Sequence, residues 1–271
     1  MQRISGREVS REIVDRLEKR DKPETILAAL LVGDDPTSLS FIKQKESVAK
    51  ELGLDFRLYK LDASLGNDDL RHEIGKISKQ KSVGGIILQL PLPEQLNKHY
   101  VINAISRDKD VDVLSERSLG ALYNNRSKVL PPAVGVVDHL VKTQGLKLED
   151  TVVAVVGLGS LVGKPISLWL SGKCKELILL DKGSDLEDAG KADLVILGVG
   201  EAGLMKPENL KEGAGVIDFG YYYFPDGGLS GDLDTSDEKA LERLSFYTPT
   251  PGGTGPILVA KLIENFYDLN A

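Results

Sequence analysis

Amphipathic stripes and short unbroken apolar runs alternate along this chain, the pattern of helices laid over a parallel sheet. Ser5 and Glu8 form a capping-box pair, and Val9, Ile13 and Leu17 recur at i, i+4 and i+8, which predicts an opening helix. The run ILAALLV at 26–32 predicts a buried strand, and GDDPTS at 33–38 a turn into the next helix. On that helix a stripe of Phe41, Lys45, Val48 and Leu52 sets a lysine at an inward position. There follow a short strand near 56–61, a helix carrying Leu70, Ile74 and Ile77, an apolar strand over 84–93 (GGIILQLPLP), and a helix from about 94 to 105.

Residues 121–132 are a partly polar link ending in two prolines, and a helix over 134–143 leads into a second α/β region. There VVAVV at 152–156 runs into glycines 157, 159 and 163 and then an amphipathic segment, which predicts strand, tight turn and helix. Strands over 176–181, 192–200 and 215–220 follow, with a short helix after Ser184, and a Pro/Gly-rich loop at 248–256 precedes a last helix carrying Ile257, Leu258, Leu262, Ile263 and Phe266. No internal repeat interrupts this order.

Composition narrows the function. A chain of 271 residues with 41% hydrophobic content buries a real core, and a net charge of −7 argues against a nucleic-acid backbone or an anionic membrane as main partner. A small-molecule ligand is expected. The single Cys174 cannot close an internal disulfide, and His72, His99 and His139 lack ligand spacing, so no metal is expected. The charged N-terminus without an apolar core segment, and the absence of any membrane-length apolar run, predict a cytoplasmic protein.

Glycines at 157, 159 and 163 let a backbone approach a pyrophosphate, and the amides at the following helix start offer donors, although a glycine turn before a helix is often only a turn. Asp181 sharpens the reading. It ends the next strand 24 residues after Gly157, near the spacing at which an acid binds the ribose hydroxyls, so a dinucleotide is expected, with NAD favoured over NADP because a carboxylate repels a 2′-phosphate. The neighbouring Lys182 works in the opposite sense. Gln89 near a strand's carboxyl end suits either a ligand or a satisfied core amide, and Lys45 either a cleft or a helix surface over which its stem lies. Asp108, Asp110 and Asp112 crowd one loop without the glycine and distal glutamate of a calcium site.

Taken together, VGDDPTSLSFIKQK, GGIILQLPLP, KDVD, GLGSLVGKP, ADLVILGVG, VIDFG, the Gly231–Asp232 pair and TPTPGGTGP resemble, in order and over nearly the whole length, the methylenetetrahydrofolate dehydrogenase/cyclohydrolase family. The resemblance implies a two-lobed α/β fold. Residues 1–120, completed by 247–271, would form the folate-binding catalytic domain, and 121–246 a Rossmann-type dinucleotide domain, with folate held between them. It implies oxidation of 5,10-methylenetetrahydrofolate with hydride transfer to NAD(P), then hydrolysis of the methenyl product to 10-formyltetrahydrofolate.

Carried over position by position, the resemblance assigns catalysis to Lys45, Gln89 and Asp112, and folate contacts to Phe41, Pro251, Gly252 and Gly253. Cofactor contacts fall to Gly157, Leu158, Gly159, Ser160, Gly163, Asp181, Lys182, Val199 and Gly200. A homodimer through the cofactor domain is also implied. Departures from the family pattern are Phe41 for the usual tyrosine, Val113 for the glycine that closes KDVDG, LPPAVG at 130–135 for the P-C-T-P segment, and Leu158 for an arginine that NADP-using members hold against the 2′-phosphate. The last again favours NAD. Alternatives are another two-lobed NAD(P)-dependent dehydrogenase of a hydroxy or amino acid, or a non-catalytic folate or nucleotide sensor.

Overall fold

The computed structural model describes residues 1–225 and 227–271, which fall into two compact units: residues 1–10 with 133–258, and residues 11–132 with 259–271. In chain order the elements begin β1 (Gln2–Arg3), α1 (Gly6–Leu17), β2 (Ile26–Val32), α2 (Pro36–Glu51), β3 (Asp55–Leu61), α3 (Asn67–Ser78), β4 (Val83–Leu88), α4 (Lys98–Ile102), α5 (Glu116–Tyr123) and α6 (Pro132–Thr143). They continue with β5 (Val152–Val156), α7 (Gly163–Leu170), β6 (Glu176–Leu180), β7 (Leu194–Leu197), β8 (Gly215–Asp218), β9 (Tyr222–Tyr223), β10 (Leu229–Ser230), α8 (Glu238–Leu241), β11 (Phe246–Tyr247) and α9 (Thr254–Leu269).

In the unit holding residues 11–132, three parallel strands lie in the order β3-β2-β4. All seven residues of β2 are buried, as an unbroken apolar run in a central parallel strand requires, whereas the edge strand β3 is partly exposed. α2 starts where Asp35 accepts the Ser38 amide at 2.7 Å and Pro36 takes the first helical position. The glycine pair before the IIL run is dictated by packing: a Cβ at Gly85 would come within 2.5 Å of the fully buried Phe266 on α9, so the glycine lets helix and strand meet.

In the unit holding residues 133–258, six parallel strands lie in the order β1-β11-β8-β7-β5-β6. From β5 the chain moves outward to β6 and then returns across it to β7, so the order reverses between β5 and β7. That is the switch point at which doubly wound sheets open a crevice beyond the carboxyl ends of their strands.

Several expectations shift. The helix expected over about 94–105 is only α4, because Asn97 caps it by accepting the Tyr100 amide at 3.1 Å and residues before Asn97 form a turn. β4 ends at Leu88, leaving Gln89 just past the strand, and the strands expected to reach 181, 200 and 220 end at Leu180, Leu197 and Asp218. The buried stripe of α2 runs through Ser38, Ile42, Ala49 and Leu52, with Phe41, Lys45 and Val48 half-buried beside it, since small residues pack against the sheet as readily as large ones. The expected division at 120/121 and 246/247 differs from the compact units, which divide at 132/133 and 258/259. The first ten residues join the larger sheet because β1 pairs with β11.

Candidate active site

Lys45 and Gln89 meet at the carboxyl ends of the three-stranded sheet. Lys45 rides on the helix after β2, and Gln89 follows β4, its backbone N–H donating to Leu30 at 2.9 Å. The Lys45 ammonium donates to Gln89 Oε1 at 3.0 Å, and Gln89 Nε2 donates to the Leu90 carbonyl at 2.7 Å, which fixes the oxygen toward the lysine. Gln89 is 6% exposed. Burial lowers the Lys45 pKa below the usual lysine value, against an opposing pull from Asp112.

The three aspartates of the 108–112 loop divide into different jobs. Asp108 is exposed, and Asp110 is buried, accepting the Leu114 amide at 3.1 Å and the Ser115 amide at 2.8 Å. Asp110 therefore shapes the turn into α5. Asp112 is the one whose charge acts on Lys45. Its pKa is raised to about 6, chiefly by burial, with Lys45 opposing and Asp110 reinforcing the rise. Val113, next in sequence, holds φ +56° while only 2% exposed, so the left-handed conformation for which a glycine is suited is kept here by a β-branched residue. Phe41 lies half-buried one turn before Lys45.

In the other unit the glycine turn sits at the switch point. Gly157 has φ +89°, and its N–H donates to Leu180 at 2.8 Å. A Cβ at Gly157 would lie 2.7 Å from the Gly198 carbonyl oxygen, and one at Gly163 would collide with the Gly157 carbonyl oxygen. The turn, the start of α7 and the loop after β7 thus approach as closely as only glycines allow. Leu158 is half-buried, whereas Gly159 and Ser160 are exposed, with open space where a Gly159 side chain would stand. Asp181 and Lys182 are exposed beyond β6, and the Asp181 amide donates to Ser184 Oγ at 3.0 Å. Val199 and Gly200 are exposed beyond β7. These residues suit a dinucleotide: a backbone cradle that a Cβ would fill, with an acid at the end of the neighbouring strand β6.

The Pro/Gly loop is anchored rather than loose. Thr250 Oγ1 donates to Gly220 at 3.2 Å, Thr254 Oγ1 donates to the Asp218 carbonyl at 2.9 Å, and the Gly6 N–H donates to Gly252 at 2.8 Å. Gly252 takes φ +93°, and a side chain at Gly6 would strike the Gly253 carbonyl. Pro251 is exposed, Gly252 half-buried and Gly253 buried. Lys45, Gln89, Asp112 and Phe41 therefore lie in one unit, and the glycine turn, Asp181, Val199, Gly200 and the Pro/Gly loop in the other.

Sequence reasoning passed over Asp218 and Asp232. Both are almost wholly buried, at 1% and 0% exposure, and each accepts backbone amides. Both lie in segments that carry the family resemblance, VIDFG and the Gly231–Asp232 pair, but no role was assigned to either, because such short strings by themselves read as strand ends.

Fold and site together define an α/β enzyme with an NAD(P)-binding unit and a separate unit carrying a desolvated lysine. Two family models match the chain, the tetrahydrofolate dehydrogenase/cyclohydrolase catalytic domain over residues 4–112 and the NAD(P)-binding domain of the same family over 131–271. The chain belongs to this family. It is 37% identical to the bifunctional protein FolD of Bacillus pumilus over 97% of this chain and 95% of that one, and 34% identical to that of Bacillus subtilis with the same coverage. Among solved structures, the FolD methylenetetrahydrofolate dehydrogenase/cyclohydrolase of Campylobacter jejuni superposes with a TM-score of 0.93 at 29% identity, covering 98% of this chain and 97% of that one. The Trypanosoma brucei enzyme, solved with NADP cofactor and inhibitor, gives 0.90 at 26% identity, covering 99% and 96%. The protein is a methylenetetrahydrofolate dehydrogenase/cyclohydrolase of one-carbon metabolism.

Proposed function

We propose that Lys45 is the acid/base of the hydrolytic step, tuned by Gln89, with Asp112 receiving the pterin amino group and ring N–H. The observation that carries this is the 3.0 Å bond from a desolvated Lys45 ammonium to a Gln89 oxygen that is itself held in place. Hydrolysis of a methenyl cation needs a base for the attacking water and an acid for the departing ring nitrogen. A lysine with a lowered pKa holds more neutral amine than an ordinary one, and that amine takes the water proton as the C–O bond forms. It returns that proton to the ring nitrogen as the C–N bond breaks, and the second water proton leaves when the formyl C=O closes.

Bound dinucleotide would supply the hydride acceptor for the methylene carbon. The adjacent folate nitrogens stabilise the cation so formed, so this chain's part in oxidation is to bind and orient. Gly157, Gly159, Ser160 and Gly163 would hold the pyrophosphate, Asp181 the adenosine ribose, and Val199 and Gly200 the other wall. Pro251, Gly252 and Gly253 would contact the folate, and Phe41 would offer its pterin an aromatic face. NAD is favoured over NADP, since Leu158 brings no charge to a 2′-phosphate and the carboxylate of the exposed Asp181 would repel one. No metal is required by this chemistry. We further propose a cytoplasmic homodimer formed through the cofactor-binding unit, without nucleic-acid or membrane partners; among the described residues no helix is long and apolar enough to cross a membrane.

The test is absorbance of reduced nicotinamide with 5,10-methylenetetrahydrofolate and each dinucleotide in turn. NAD should give a kcat/KM at least about tenfold above that for NADP, a difference of about 1.4 kcal/mol. A ratio of one or below would overturn the cofactor assignment.

A further inference from the structure

Asp232 takes no part in the steps above, yet it is fully buried in the unit holding residues 133–258. Its Oδ2 accepts the Val199 amide at 2.6 Å, and its Oδ1 accepts the Gly200 and Glu201 amides at 2.8 Å each. Three successive N–H groups converging on one carboxylate form a small anion nest, made possible by φ +86° at Gly200. The nest fixes the loop that follows β7.

Packing around Asp232 is built to admit it. A Cβ at Gly220 would collide with the Asp232 carboxylate, and a Cβ at Gly231 would collide with Asp218 Oδ2. The arrangement is costly. Asp218 and Asp232 are like charges buried side by side, and burial, with Asp232 adding to it, pushes the Asp218 pKa up to about 6. Ordinary packing needs no such pair, since a buried ion pair or carboxylate is often replaceable by apolar groups without loss of stability. What the pair secures is the position of a loop whose Val199 side chain stands 45% exposed instead of packing into the core. That loop abuts the glycine turn: a Cβ at Gly157 would lie 2.8 Å from the Gly198 carbonyl carbon and 2.9 Å from Val199 Cγ2.

We propose that Asp232 is a positioning residue for the dinucleotide, its carboxylate holding Val199, Gly200 and Glu201 in their binding shape before the cofactor arrives. The proposal rests on the assignment of the 157–163 turn and the 199–200 loop as the dinucleotide site. Asp218 supports the same wall from behind, accepting the Gly220 amide at 2.6 Å and the Leu233 amide at 2.9 Å.

The test is Asp232→Asn, which keeps the side-chain volume but replaces one acceptor oxygen with an NH₂ group facing an N–H. Loss of one or two charge-assisted bonds in the loop predicts a rise of about tenfold to hundredfold in the dissociation constant for NAD, read by fluorescence titration. Direct hydrolysis of methenyltetrahydrofolate without dinucleotide should keep its kcat and KM within about twofold, since Lys45 and Gln89 lie in the other unit. An unchanged NAD dissociation constant overturns the proposal, as does equal loss of NAD binding and hydrolysis, which marks a structural role. Hydrogen exchange on the parent enzyme gives a reading that does not depend on the variant folding. The Val199, Gly200 and Glu201 amides should exchange slowly in the free enzyme and change little when NAD is added; fast exchange in the free enzyme overturns the proposal. A parent enzyme that binds neither dinucleotide would sink the site assignment itself, whereas a parent that binds and a variant that binds equally well sinks only the role of Asp232.

Discussion

Replacing Lys45 with methionine separates the two reactions. The change keeps the length and apolar stem of the side chain and removes the amine proposed to carry the proton between water and ring nitrogen. Positioned acid/base groups contribute about 10²- to 10⁴-fold, so methenyl hydrolysis should fall by at least about 10²-fold. Dehydrogenation should remain measurable, within about tenfold of the parent, because no proton moves through the protein in that step. Stability should change little. Gln89 Oε1 loses its donor at a site 6% exposed, which costs about 1–3 kcal/mol, but the desolvation penalty already evident in the lowered Lys45 pKa disappears with the ammonium. Hydrolysis is followed by loss of methenyltetrahydrofolate absorbance, and oxidation by reduced nicotinamide. In the parent, hydrolysis should rise with pH through a Lys45 pKa below the usual 10.5, and that rise should vanish in the variant. Equal loss of both activities in a folded protein, or hydrolysis within about threefold of the parent, refutes the assignment.

Asp181→Ser should raise kcat/KM with NADP relative to NAD by about tenfold, as removal of one repelling carboxylate near a phosphate allows, and an unchanged ratio would show that the ribose is read elsewhere. Asp112 has a folded-state pKa raised from 3.8 to about 6, so its contribution to stability is fully present below pH 4 and lost as pH rises through 6. Asp112→Asn should therefore match the parent in urea unfolding at pH 4 and exceed it by on the order of 2 kcal/mol at pH 8, while the KM for folate rises; equal stability at pH 8 would remove the desolvation argument. Val113→Gly relieves about 1–2 kcal/mol of left-handed strain but empties a site only 2% exposed, worth about 2–3 kcal/mol. The melting temperature should fall by about 2–4 °C with folate KM unchanged, and a rise instead would show that strain dominates.

Much of this was readable one residue at a time. The buried run of β2, the Asp35–Pro36 start of α2 and the glycines around 157 each follow from local rules, because a strand's burial, a helix cap and a positive φ are set by nearest neighbours. The acid at 181 was picked out by spacing alone, and the structure puts it in an exposed position just past β6. Lys45 was picked out by its place on an amphipathic stripe, of which Leu52 is buried as expected while Ile42 and Ala49 take the buried positions in place of Phe41 and Val48.

What the chain could not state in one dimension was pairing across distance. β1 and β11 are two residues long and gain their meaning only by pairing, β1 with β11 and β11 with β8, which is why the first ten residues join the larger sheet. Nothing near Asp232 in the sequence announces three amides from 31 to 33 residues away. The sequence by itself determined the alternation of elements, the turn chemistry and the residue types available for proton transfer and nucleotide binding, because those depend on backbone preference and side-chain chemistry. Only the tertiary structure decided which lysine is desolvated against which glutamine, which of three neighbouring aspartates shapes a turn and which acts on the lysine, and that a buried carboxylate gathers the amides of the loop after β7. Desolvation and convergence are properties of surroundings, and the surroundings of a residue exist only once the chain has folded.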